Sequence, residues 1–161
     1  MWEAMAGSRG IGIVTIAVLA AAASACAARA PRGPHVILPS GHVLDVEIAD
    51  TPEKRALGYM FREHIPETEG MVFFMEEPGF HSFWMRNCKV ALDIVWLDEA
   101  WGVTHIEHEV PPCTSPPTGP CPGYEPLRES LYVLEMQAGM AAREGLRVGD
   151  AVRYVAGERT Q

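Results

Sequence analysis

Beyond residue 34 the chain alternates between short runs of β-branched and aliphatic residues and clusters of turn formers. His35–Leu38 and His42–Ile48, joined by Pro39-Ser40-Gly41, predict a hairpin whose apolar content comes from Val43, Leu44, Val46 and Ile48. Thr51-Pro52-Glu53 predicts a helix start, with the Thr51 hydroxyl as cap and Pro52 at the first helical position, where a missing N–H costs nothing. Gly58 ends this helix after about two turns, so it is stable only when docked. Strand patterns follow at Met71–Met75, Phe80–Met85, Ala91–Leu97, Val103–Ile106, Leu131–Met136 and Ala151–Val155. Glu76-Glu77-Pro78-Gly79 and Asp98–Gly102 read as turns, and Ala138–Glu144 as a second short helix stopped by Gly145. Seven or eight short strands, two short helices, no repeat and no βαβ alternation predict a mainly β (α+β) fold. The expected form is a single compact, antiparallel, sandwich- or barrel-like domain over residues 35–161.

Ahead of this domain, Ile11–Ala25 is almost wholly apolar and small, and follows Arg9. The run is shorter than the roughly 20 residues a spanning helix needs and has the size of a signal-peptide core. Ala23-Ser24-Ala25 reads as a cleavage site, which makes residues 1–25 a signal peptide. The same residues stand directly before Cys26 and resemble a bacterial lipobox, with Ala23 where Leu is usual. The expectation is an exported protein on the periplasmic or outer-surface side of the envelope, anchored by a lipid on Cys26. Plain secretion is the alternative. Residues 26–34, with Pro31, Gly33 and Pro34, read as a tether.

Composition narrows the partners. The 161 residues are 48% hydrophobic and 21% charged, which is globular, and one domain is expected at this size. Thirteen Lys and Arg against 21 Asp and Glu give a net charge of −8, which argues against nucleic acid and against a polybasic membrane face. Membrane contact is therefore expected only through the anchor. Export also sets the redox compartment. Cys113 and Cys121 bracket TSPPTGP and are expected to form a disulfide that stabilises by about 2 to 3 kcal/mol. Two free thiols are the alternative; a metal pair is disfavoured, because the spacing is too long for CxxC and no His lies between. Cys88 is left as a small buried residue, not a nucleophile.

The densest chemistry lies in Phe83-Trp84-Met85-Arg86-Asn87, followed by Asp93 and preceded by Met60-Phe61-Arg62. Strand alternation sends Phe83, Met85 and Asn87 to one face and Trp84 and Arg86 to the other, so Asn87 needs a local bend to leave the core side. Asp93, flanked by Leu92 and Ile94, must face water or be paired. The expected recognition patch comprises Arg62, Trp84, Arg86, Asn87 and Asp93, with Tyr124 beside the disulfide loop. In it Trp84 stacks on an apolar or sugar face, the two arginines fork onto a carboxylate or phosphate, and Asn87 orients by paired hydrogen bonds. No metal or cofactor is expected. His105 and His108 are three apart in a strand and point to opposite faces, and HIEHE reads as a solvated strand edge. His81-Ser82 has no acidic orienter, no GxSxG elbow is present, and the glycines form no phosphate loop.

The stretches IADTPEKRALGYMFRE, GMVFFMEEPGFHSFWMRNCKVALDIVWLD, PPC with a later PCPGY, and YVLEMQAGMAAREGLRVGD resemble the family known as domain of unknown function 192, roughly from Val43 to Val152. The resemblance implies a compact, mainly β domain among small exported proteins and lipoproteins, and it implies no reaction. Tyr59 stands where the family usually has Leu, Cys88 where it has Thr and Ala91 where it has Pro; the Cys88 change removes any hydroxyl role there. The resulting expectation is a binding or accessory module of the cell envelope that recognises a small polar, anionic or glycan-type ligand through the patch. The alternatives are an envelope hydrolase with Asp93 as general base, whose pKa burial must raise, and a structural lipoprotein without a ligand. No pattern sets an oligomeric state.

Overall fold

The computed structural model describes residues 33–113 and 119–157. The expected signal peptide, Cys26 and residues 27–32 of the tether lie outside the described residues. Seven strands form one sheet: β1 (His35–Ile37), β2 (Val43–Ala49), β3 (Glu69–Gly79), β5 (Leu92–Leu97), β6 (Val103–Val110), β8 (Ser130–Gln137) and β9 (Arg153–Val155). Their spatial order is β6-β5-β8-β3-β2-β1-β9, and the sheet curls into a half-barrel. Two short strands, β4 (Phe83–Trp84) and β7 (Gly123–Tyr124), pair as a separate ribbon. Helices α1 (Pro52–Leu57) and α2 (Met140–Arg143) complete a mainly β fold.

The hairpin expected at residues 35–48 is present as β1 and β2, with Val36 opposite Leu44. One pairing departs from the antiparallel expectation. Strands β2 and β3 run parallel, Asp45 opposite Glu69 through Ala49 opposite Phe73, with α1 in the crossover. The expected turn at residues 76–79 is instead the continuation of β3. Its pairing with β8 breaks after Phe74 and resumes at Gly79, so Pro78 occupies an irregular stretch where a ladder N–H is not required. The strand expected at residues 80–85 contracts to the two residues of β4.

The period of two sorts side chains to the two faces of the sheet. Val72, Val95, Leu97, Leu134 and Met136 enter a core on one side, where α2 packs through Met140 and Ala141. Met71, Phe73, Ile94, Trp96 and Val133 enter a second core on the other side, together with Tyr59, Ile65 and Met85. All six residues of β5 are buried, because both of its faces are covered. The second face carries α1, the β4–β7 ribbon and the Cys113–Cys121 disulfide, and the candidate site lies there.

Candidate ligand-binding cleft

The cleft is built around the end of α1. The Thr51 hydroxyl accepts from the Lys54 N–H at 3.3 Å and caps the start, and the Gly58 N–H donates to the Lys54 carbonyl at 2.9 Å and closes the end. Gly58 has φ +45°, which turns the chain inward so that Tyr59 is only 1% exposed. Helix α1 buries no side chain of its own. Arg55 holds it instead, donating through Nη1 to the carbonyls of Asp50 (3.2 Å) and Phe74 (2.9 Å) and through Nη2 to Glu76 (2.9 Å). Beyond it, the Phe61 N–H donates to the Asn87 carbonyl at 2.8 Å, and both residues are left-handed, with φ of +66° and +56°. That clasp joins the MFR turn to the turn after β4.

Between α1, β3 and β4 lies an open cleft of about 470 Å³. Its walls are mostly apolar, with Leu57, Phe73, Met75, Phe80, Phe83 and Trp84, and also include Arg55, His81 and Ser82. Phe83 packs edge-to-face on Phe73 at 4.9 Å and on Trp96 at 5.9 Å, and the Trp96 indole N–H donates to the His81 carbonyl at 2.9 Å. Three polar groups lie beneath these walls: the Glu135 carboxyl, the Tyr59 hydroxyl and the Cys88 thiol. Glu135 is 4% exposed, and its Oε2 has no hydrogen-bond partner. Burial pushes its pKa up to about 8, so the carboxyl is mostly protonated at neutral pH. The Tyr59 hydroxyl is likewise unpartnered, and its pKa is raised by burial and then by the charge of Glu135. The same two causes push the Cys88 thiol up to about 11, which leaves it un-ionised and a poor nucleophile. A Cβ at Gly58 would lie 3.3 Å from the Phe73 ring and 3.7 Å from Glu135 Oε2. Backbone, aromatic ring and carboxyl therefore converge at one point.

The expected recognition residues divide into three groups. Trp84, Arg86, Asn87 and Tyr124 gather around β4. Trp84 is 52% exposed on the rim of the cleft, and the Arg86 guanidinium lies 4.9 Å over its ring. Arg86 Nη2 donates to the Gly119 carbonyl at 3.4 Å, while its Nε is buried without a partner. The positive φ at Asn87 is the bend that frees this residue from the core side. Tyr124 is paired opposite Phe83 in the ribbon. Arg62 forms a second group: it forks onto both oxygens of Glu47 at 2.5 and 2.7 Å and lines a second groove with Ala49 and Met71, which meets the cleft at Leu57 and Gly58. This pairing holds the arginine in its charged form.

Asp93 does not join the others. It is 0% exposed and faces the α2 side of the sheet. Its Oδ1 accepts from the N–H groups of Glu109 (2.7 Å) and Gly139 (3.0 Å), and its Oδ2 accepts from Ala141 N–H (2.7 Å). Gly139 offers no side chain to cap α2, so Asp93 caps the helix from across the sheet. Its oxygens are occupied, and the recognition patch expected around it loses this member. The Cys113–Cys121 disulfide is formed, and the Cys113 N–H donates to the Met85 carbonyl at 3.2 Å, tying the Pro-rich loop to the end of β4. Cys88 is the free cysteine among the described residues. Among those residues no group of three His, Cys, Asp or Glu side chains is placed to hold a metal ion.

Glu135 is the residue the sequence reading missed. It stands between Leu134 and Met136 in an apolar strand, the same signature that singled out Asp93. The fold and the cleft together define a curled-sheet, mainly β protein with a buried carboxyl under an aromatic-rimmed pocket. The DUF192 family model, described as Uncharacterized ACR, matches residues 35–154, and the chain belongs to this family. Among solved structures, a protein of unknown function from Novosphingobium aromaticivorans is 34% identical, with a TM-score of 0.66 over 74% of this chain and 82% of that one. A "putative transcription regulator" from Sinorhizobium meliloti is 28% identical, with a TM-score of 0.62 over 75% of this chain and 91% of that one. No curated protein matches the chain.

Proposed function

We propose that this protein is an exported binding module of the cell envelope, anchored through a lipid on Cys26, and that its ligand occupies the cleft between α1 and β4. The observation that carries this reading is the buried Glu135 carboxyl, whose Oε2 has no partner among the described residues, under mostly apolar walls. A buried polar group without a partner costs stability, and a site that keeps one has a use for it in an external partner. A cleft of this size with apolar walls and few convergent polar groups fits a small molecule with an apolar body and one polar group. Trp84, stacked under Arg86, remains part of the site as its rim. Binding is favoured over hydrolysis. Asp93, the base a hydrolase would need, has its oxygens occupied by backbone donors on the far side of the sheet, and the Cys88 thiol is un-ionised.

An NMR titration of the folded protein with a set of small amphipathic fragments tests this reading. Shift changes should concentrate at Gly58, Phe73, Phe83 and Trp84. Changes confined to the α2 face, or a fragment set that perturbs no residue of the cleft, would contradict it.

A further inference from the structure

We infer that the cleft selects an organic ammonium group, held between the Glu135 carboxylate at its floor and the aromatic faces of Phe73, Phe83 and Trp84. This inference rests on the cleft being the binding site and adds the chemical class of its ligand. Three observations lead to it. The first is that, among the described residues, Glu135 has no positive partner. Arg55 is the arginine lining the cleft, and its Nη1 and Nη2 are taken by two carbonyls and Glu76. Of the guanidiniums outside the cleft lining, Arg62 is forked onto Glu47, and Arg86 is stacked on Trp84 at the rim and donates to the Gly119 carbonyl, which leaves the other face of Trp84 for a ligand. A buried carboxyl in this position has two ways to lower its energy: to keep its proton or to gain a cation from outside.

The second observation is the wall chemistry. Aromatic faces carry a negative quadrupole and attract cations, most strongly where water is excluded. Phe73 and Phe83 meet edge-to-face at 4.9 Å and border the same cleft as the half-exposed Trp84. A carboxylate at the base of an aromatic enclosure suits a positively charged nitrogen with alkyl substituents better than an anion or a sugar. The third observation is the sign of the local field. The charge of Glu135 raises the pKa of both Tyr59 and Cys88, so the floor becomes negative whenever this carboxyl ionises. The net charge of −8 adds to the penalty on an anionic ligand.

Ammonium binding requires the ionised carboxylate, so binding releases a proton. Affinity therefore rises with pH, close to tenfold per pH unit, until Glu135 is ionised in the free protein near pH 8. The titratable and charged groups facing Glu135 are Arg55 on α1, Tyr59 on the following turn, His81 before β4 and Cys88 after it. Tyr59 and Cys88 are held neutral over this range, and a His81→Gln variant reports the contribution of the imidazole.

The test compares choline with 3,3-dimethylbutan-1-ol, which has the same shape and no charge, by NMR titration from about pH 6 to about pH 8. Choline should bind roughly tenfold more tightly than the alcohol near pH 8. Its affinity should climb with pH while that of the alcohol stays flat or falls. Glu135→Gln, checked for an unchanged fold by its amide NMR spectrum, should abolish both the preference and the pH dependence and leave the alcohol bound. Equal or tighter binding of the alcohol, or choline affinity that falls with pH, overturns the ammonium inference and leaves the cleft reading standing. Failure of both probes to perturb Phe73, Phe83 or Gly58 overturns the two together.

Discussion

Asp93 and Glu135 occupy neighbouring strands of one sheet, one register step apart, with Asp93 opposite Met136 and Glu135 opposite Ile94. Both interrupt apolar runs and both are buried. They face opposite sides, and this decides what each does. On the α2 side the sheet borders irregular backbone: the left-handed Glu109 (φ +50°) and Gly139 (φ +79°), and the open start of a four-residue helix. Those places have N–H groups without ladder partners, and Asp93 takes three of them. On the α1 side the cleft is lined mainly by aromatic and aliphatic side chains, its polar members Arg55, Tyr59, His81, Ser82 and Cys88 make no hydrogen bond to Glu135, and Glu135 Oε2 finds no donor among the described residues. A buried carboxylate surrounded by backbone donors holds the fold together. One whose Oε2 finds no donor is the group on which the proposed ligand site rests.

The contrast is sharpest in stability. Asp93→Ala should destabilise by about 4 kcal/mol or more, because three buried N–H groups each lose a charged acceptor at roughly 1 to 3 kcal/mol apiece. Asp93→Asn should cost about half as much, since the amide can still accept from one side. Glu135→Gln should stay within about 1 kcal/mol of the wild type below about pH 4.5, where the carboxyl is protonated folded and unfolded, and should be the more stable protein at neutral pH, by roughly 3 kcal/mol. Urea unfolding of the three variants measures these differences; an Asp93→Asn variant as mild as Glu135→Gln would erase the distinction. The second expectation concerns pH. Glu135 is raised from 4.5 to about 8 on folding, so its contribution is complete below about pH 4.5 and is lost as pH rises through about 8. The loss is roughly 5 kcal/mol, and in Glu135→Gln it should be absent.

Smaller effects separate the walls of the cleft from its support. Met85→Ala, at a fully buried position beneath β4, should cost about 3 kcal/mol. Trp84→Ala, one residue away but half-exposed, should cost about 1 kcal/mol or less while weakening ligand binding. Reducing the Cys113–Cys121 disulfide should lower stability by about 2 kcal/mol in thermal or urea unfolding, and the protonated Cys88 should react slowly with alkylating agents at neutral pH. Cys26→Ala should leave the melting temperature unchanged. The same change should move the protein from the membrane fraction to the soluble one, and unchanged fractionation would remove the lipid anchor from the account.

What was legible in the sequence was local. The hairpin at residues 35–48, the Thr51 cap and the Gly58 stop each follow from neighbouring residues, and so does the Cys113–Cys121 pair. The parallel pairing of β2 with β3 left no such trace, because its crossover holds only a six-residue helix where a parallel connection usually has a longer one. β5 hid its two faces because both are covered, so LDIVWL reads as one apolar run. At the site, the Trp84-Arg86-Asn87 cluster was legible from residue type, and the need for a bend at Asn87 from alternation. The partners of Asp93 were not, since Gly139 and Ala141 reach it only after the chain folds. Glu135 carried the same signature as Asp93 and went unnoticed because no aromatic or basic residue adjoins it in sequence; Phe73, Phe83 and Gly58 are brought to it from three other segments.

The most direct measurement is a carbon-13 NMR titration of the Glu135 carboxyl in the folded protein, assigned by comparison with Glu135→Gln. The account predicts a midpoint near pH 8, far above the ordinary value of 4.5, because the group is buried, with no partner on Oε2 among the described residues. It also predicts that the midpoint falls when choline is present. A midpoint near 4.5 in the free protein would mean that Glu135 is solvated or already paired, and would contradict the claim that the cleft holds a carboxyl in reserve for a ligand.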